Sequence, residues 1–116
     1  MICSGAGAFE SLRLEKGYRS LGTDIHTNYN PYESGLGFTV KLKKDDDFIG
    51  KNALQKIKEK PIEKKLTCMI IDDPEGMALG TEPIYSNGKA VGYVTSKIYD
   101  YFVDKHIVYG YLPSEL

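Results

Sequence analysis

The hydrophobic period of this chain changes at Pro61, and that change limits what the chain can become. After Pro61, short runs alternate or cluster apolar residues at the spacing of strands: Lys65 to Ile71, Pro83 to Tyr85, Ala90 to Ser96 and Ile107 to Leu112. Two of them flank Ser86-Asn87-Gly88-Lys89, and an Asn-Gly pair between strands predicts a tight hairpin. The Asp72-Asp73-Pro74 sequence breaks the first run. Before Pro61 the pattern is helical: Ala8, Phe9 and Leu12 recur at helical spacing behind a capping Ser4, and Gly17 ends that helix. Residues 20–35, rich in Gly, Asn, Thr and Ser, read as an irregular loop with a turn at Asn30-Pro31. Gly37 to Leu42 alternates and predicts a strand. Asp45 to Asp47 then lead into a second helix with Ile49, Ala53, Leu54 and Ile57 on one face, which Pro61 stops. The expectation is an α+β chain: two helices plus a strand in residues 1–60, then an antiparallel, barrel-like sheet in residues 61–116.

Composition narrows the function. At 116 residues, 41% hydrophobic and 27% charged, the chain has the composition of an ordinary folded domain. Its net charge of −1 supplies no basic field for a nucleic-acid backbone, so a nucleic-acid partner is not expected. The lysines between Lys41 and Lys65 alternate with acids and read as a solvated face. Cys3 and Cys68 form no disulfide framework, and His26 and His106 stand alone, so no metal site is expected and a reducing compartment is. No run reaches the roughly 18 apolar residues of a membrane span, and Met1 to Ala8 lacks the form of a secretory leader.

Three stretches in order resemble one family. The first is Ser11 to Arg19 (SLRLEKGYR), followed by Pro31 and Glu33 to Leu36 (ESGL). The second is Asp47 to Leu54 (DFIGKNAL). The third combines Glu82-Pro83-Ile84, Asn87-Gly88, Val91-Gly92, Thr95-Ser96 and Tyr109-Gly110-Tyr111. Together they resemble the glycine-cleavage T-protein (aminomethyltransferase) and dimethylglycine/sarcosine dehydrogenase family from about Ala8 to Leu112. Lys16-Gly17-Tyr18-Arg19 favours the dehydrogenase branch. Residues 1–60 would then be the end of a folate-binding domain and residues 61–116 part of the C-terminal barrel. The resemblance implies tetrahydrofolate as cofactor, a methylated-glycine-type substrate, and FAD in an N-terminal domain outside this chain. It also implies a cytoplasmic location, or the mitochondrial matrix in a eukaryote. The family's catalytic aspartate has no counterpart here, so no catalytic residue is assigned and the chain alone is expected to be inactive. A barrel without its last strands leaves a free edge, so self-association is expected as well. The alternative reading is a regulatory or interaction protein that keeps the fold without the reaction.

Two residues carry the expected folate contacts. In the family the glutamate of the Leu-Glu motif binds the pterin, which places that role on Glu15. The pterin edge offers a ring N–H and an exocyclic amine side by side, and a carboxylate matches both. Lys44 falls where T-proteins carry a folate-contacting arginine, with Lys43 an equal match, and lysine lacks the planar guanidinium fork. Without the motif, Glu15 reads as a surface acid beside Lys16 or Arg19, and Lys44 as a solvated lysine. Tyr18, Arg19 and Tyr29 suit a flat heterocycle by type but equally suit the core or surface. Lys97 to Asp104 departs from the family, which places glycines between its aromatics; here the stretch can continue a strand with Tyr99, Tyr101 and Val103 on one face.

Overall fold

The computed structural model describes residues 3–73 and 75–116. Pro74, the last residue of the Asp72-Asp73-Pro74 break, lies outside them, as do Met1 and Ile2 of the N-terminal segment. The order is α1 (Ala6–Lys16), a 3-10 turn (Gly37–Thr39), α2 (Lys51–Lys58), then β1 (Lys64–Ile71), β2 (Pro83–Ser86), β3 (Lys89–Asp100) and β4 (Lys105–Pro113). The α+β class holds: two helices precede one open antiparallel sheet in the order β1-β4-β3-β2.

The sheet follows its turn chemistry. Asn87 and Gly88 sit at φ 50° and 76°, and two positive φ values are what a two-residue hairpin turn requires. The β3–β4 turn spans 101–104, so β3 does run on through the glycine-free stretch but stops at Asp100. Along β4 the side chains alternate faces. Ile107, Tyr109 and Tyr111 pack with Leu14 and Leu66 on one side, while Val108 packs with Ala78 and Val94 on the other. Gly92 and Gly110 permit close approach within this sheet: a Cβ at Gly92 would run into the Tyr111 carbonyl.

The helical segment departs from expectation in three places. Gly5, not Ser4, occupies the N-cap of α1, with no side-chain cap. Phe9 and Leu12 point outward, 67% and 66% exposed, while Arg13 and Leu14 face the sheet. The helix ends as Gly17 predicts: at φ 84° its N–H reaches the Leu14 carbonyl, and the Tyr18 N–H reaches that of Arg13 at 2.7 Å. The strand expected over Gly37–Leu42 is instead a 3-10 turn. Thr39 donates both its N–H and its hydroxyl to the Leu36 carbonyl, and this local closure outcompetes the alternating pattern where no strand lies alongside. Finally, α2 begins at Lys51 behind a left-handed Gly50 and has no acid in its first turn. The Asp45–Asp47 run therefore precedes the helix rather than capping it. Ile49 lies outside α2 and is fully exposed, and no residue of α2 is buried.

Candidate functional site

A buried polar network fixes α1 on the sheet and so sets the position of Glu15. The Arg13 guanidinium donates to Asp24 Oδ2 at 2.5 Å, to Ser96 Oγ at 2.8 Å and to Glu10 Oε2 at 2.5 Å. Asp24, fully buried, also accepts from the Ser20 N–H and, through Oδ1, from Thr95 Oγ1 at 2.6 Å. A β-bulge between Val94 and Ser96 breaks the strand's strict alternation. It lets the consecutive side chains Thr95 and Ser96 both reach the network. Burial pushes the Asp24 carboxyl up, but hydrogen bonds from Thr95, Ser20, Ser96 and Arg13 outweigh it and hold the group below its usual range. Tyr111 adds a bond from its hydroxyl to the Asp24 carbonyl at 2.7 Å, and Tyr109 one to the Leu14 carbonyl at 2.8 Å.

Glu15 is exposed near the C-terminus of α1, one residue beyond the buried pair Arg13 and Leu14. It borders a hollow of about 530 Å³ between α1 and the β3–β4 turn, together with Ser11, Leu12, Ile98, Asp100 and Phe102. The hollow joins two acids, exposed Glu15 and buried Asp100, to a largely apolar lining, and the exposed carboxylate can face a flat ligand with one polar edge. Asp100 is buried, 1% exposed. Its Oδ1 accepts the N–H groups of Val103 and Phe102 at 2.8 and 2.9 Å, and its Oδ2 accepts from Ser11 Oγ at 3.2 Å. These donors, the Val103 N–H foremost, hold the carboxyl below its usual range. In the sequence Asp100 stands only as one residue of the Lys97–Asp104 stretch that departs from the family. Its position two and three residues before the N–H groups it accepts is the readable signal of an Asx-type turn.

Lys44 lies elsewhere. With Lys41, Lys43 and Lys58 it borders a separate hollow of about 490 Å³ that shares no lining residue with the Glu15 hollow. Its ammonium pairs with Asp46 at 2.6 Å on the surface. Lys43 borders the same hollow, so the two candidates stay together, but neither meets Glu15. Tyr29 stacks on Tyr111 with ring centroids 3.5 Å apart, and Arg19 donates to the carbonyls of Gly17 and Ser34, so both serve packing. Among the described residues no group of three His, Cys, Asp or Glu side chains could hold a metal ion.

The fold is an α+β unit with a half-open hollow beside Glu15. Residues 1–44 match the GCVT N-terminal domain, and residues 64–116 match the glycine cleavage T-protein C-terminal barrel domain. Dimethylglycine dehydrogenase of Homo sapiens, a mitochondrial protein, is 41% identical over 112 residues, covering 97% of this chain and 13% of the relative. An aminomethyltransferase of Prochlorococcus marinus is 39% identical over 112 residues, covering 97% of this chain and 30% of the relative. The mitochondrial pyruvate dehydrogenase phosphatase regulatory subunit of Mus musculus is 39% identical over 115 residues, covering 96% of this chain and 13% of the relative. The chain belongs to the family of the glycine-cleavage T-protein and the dimethylglycine and sarcosine dehydrogenases. It spans less than a third of the length of each of these relatives.

Proposed function

We propose that the chain is part of a tetrahydrofolate-dependent enzyme that transfers a one-carbon unit from a methylated-glycine-type or aminomethyl donor. In this reading residues 1–60 close the folate-binding domain and residues 61–116 begin the C-terminal barrel, a division that the two matched spans support. One observation carries the reading: the glutamate of the family's Leu-Glu motif, Glu15, borders an apolar hollow of ligand size. There the carboxylate can accept the paired N–H donors of a pterin edge while Leu12, Ile98 and Phe102 meet its ring. Lys44 remains a candidate for the anionic tail of the cofactor only if the ligand extends well beyond the first hollow.

Tetrahydrofolate would supply the acceptor nitrogen, and FAD, in the dehydrogenase branch, would act from a domain outside this chain. The mitochondrial relatives favour a matrix location in a eukaryote. Among the described residues no helix is long and apolar enough to cross a membrane. We further infer that the 116-residue chain by itself does not transfer one-carbon units and that it self-associates through the outer edge of β1 beyond Leu66, whose N–H is taken by the Glu33 carbonyl. A second reading, a regulatory subunit that keeps the fold without the reaction, is favoured by the 39% identity to the phosphatase regulatory subunit. Binding of a reduced folate to the complete protein, measured by calorimetry, separates the two. Saturable binding that Glu15→Gln weakens supports the enzyme reading. Absence of binding supports the regulatory one.

A further inference from the structure

We propose that the Tyr101–Phe102 turn is the second wall of the Glu15 hollow, held in place by Asp100, and that it sets which flat heterocycle the site accepts. The proposal rests on the folate-site reading above. Phe102 and Leu12 both border the hollow, yet Phe102 is 86% exposed, as is most of Tyr101. Two aromatic side chains left in water beside an acid-bearing hollow lose apolar hydration only when something covers them. A flat ring with apolar faces and a donor edge covers them and reaches Glu15 at once.

Asp100 is buried, and its carboxylate is engaged within the protein. One oxygen is committed to the N–H groups of Phe102 and Val103, the other to the Ser11 hydroxyl on α1. It is therefore a positioning residue: it closes the turn on itself and ties that turn to the helix that carries Glu15.

The test is calorimetric titration of 5-formyltetrahydrofolate into the complete protein carrying single substitutions. Phe102→Ala weakens binding about tenfold, as loss of a stacking partner does, whereas Phe102→Tyr retains it. Asp100→Ala weakens it to a similar degree, and Asp100→Asn, which keeps an acceptor for both N–H groups, restores it. If Asp100→Ala fails to fold, the exposed Phe102 pair still decides the matter. Loss of binding on Glu15→Gln with none on Phe102→Ala overturns this inference and leaves the folate reading standing. No binding by the unsubstituted protein, or none of the substitutions mattering, overturns both.

Discussion

Arg13 and Asp24, eleven residues apart in sequence, meet at 2.5 Å in the interior and tie the helix, the loop and the sheet together. Arg13 comes from α1, Asp24 from the irregular loop, and Thr95 and Ser96 from the bulge of β3. The Thr-Ser pair, one of the motifs of the resemblance, is in this structure a clamp on the ion pair.

Breaking that pair leaves a buried charge without its partner. Arg13→Ala is expected to cost about 3–5 kcal/mol of folding stability, measured by urea denaturation. Thr95→Val, which removes one hydrogen bond to the carboxylate, is expected to cost about 1–3 kcal/mol.

The same network predicts an acid limit. The folded-state pKa of Asp24 lies below its usual value. Its contribution is therefore fully present above the unfolded value of about 3.9 and is lost as pH falls through the folded one. Melting temperature recorded from pH 7 downward should drop below about pH 4, and Asp24→Asn should flatten part of that drop.

Glycines at two positions should respond with opposite sign. A Cβ at Gly92 would strike the Tyr111 carbonyl across the sheet, so Gly92→Ala should destabilise by about 1–3 kcal/mol. Gly7 lies inside α1 with nothing within 4 Å of a new Cβ, so Gly7→Ala should stabilise by about 0.5–1 kcal/mol. Thermal denaturation of both variants gives the comparison.

Much of the sheet was legible because its signals are local. Asn87-Gly88 admits one kind of turn, and the apolar runs of β1, β3 and β4 stand where their composition placed them. The first half was less so. Over Gly37–Leu42 alternation promised a strand, but a strand needs a neighbour, and Thr39 closed a turn on Leu36 instead. In α1 the apolar spacing of Phe9 and Leu12 pointed to a buried face. The face that packs is set by Arg13 and Leu14, because a charge with four partners, Glu10, Asp24, Ser96 and the Tyr18 carbonyl, can be buried as readily as a leucine. Glu15 is legible through the family motif alone; the turn that Asp100 closes is local and readable, but its tie to Ser11 exists only once α1 lies beside it.

The sheet's outer edge gives a prediction about association. β1 lies at one side of the sheet and has a loop partner at Leu66, whose N–H reaches the Glu33 carbonyl. Ile70 is half exposed farther along that strand. Such an edge is a template for a further strand. Light scattering across a concentration series of the 116-residue chain should show mass rising with concentration, and Ile70→Lys should suppress the rise. A constant monomer mass would remove the edge-pairing account.

In the function proposed above, Glu15 is the pterin-binding acid of a folate-dependent enzyme. The most direct measurement of that role is the affinity of the complete protein for tetrahydrofolate with Glu15 intact and with Glu15→Gln, by anaerobic calorimetry. Binding is expected to be saturable and weakened by about 1–3 kcal/mol by the substitution, the worth of a hydrogen bond to a charged group, with the melting temperature unchanged. Equal affinity in the two proteins would contradict that role.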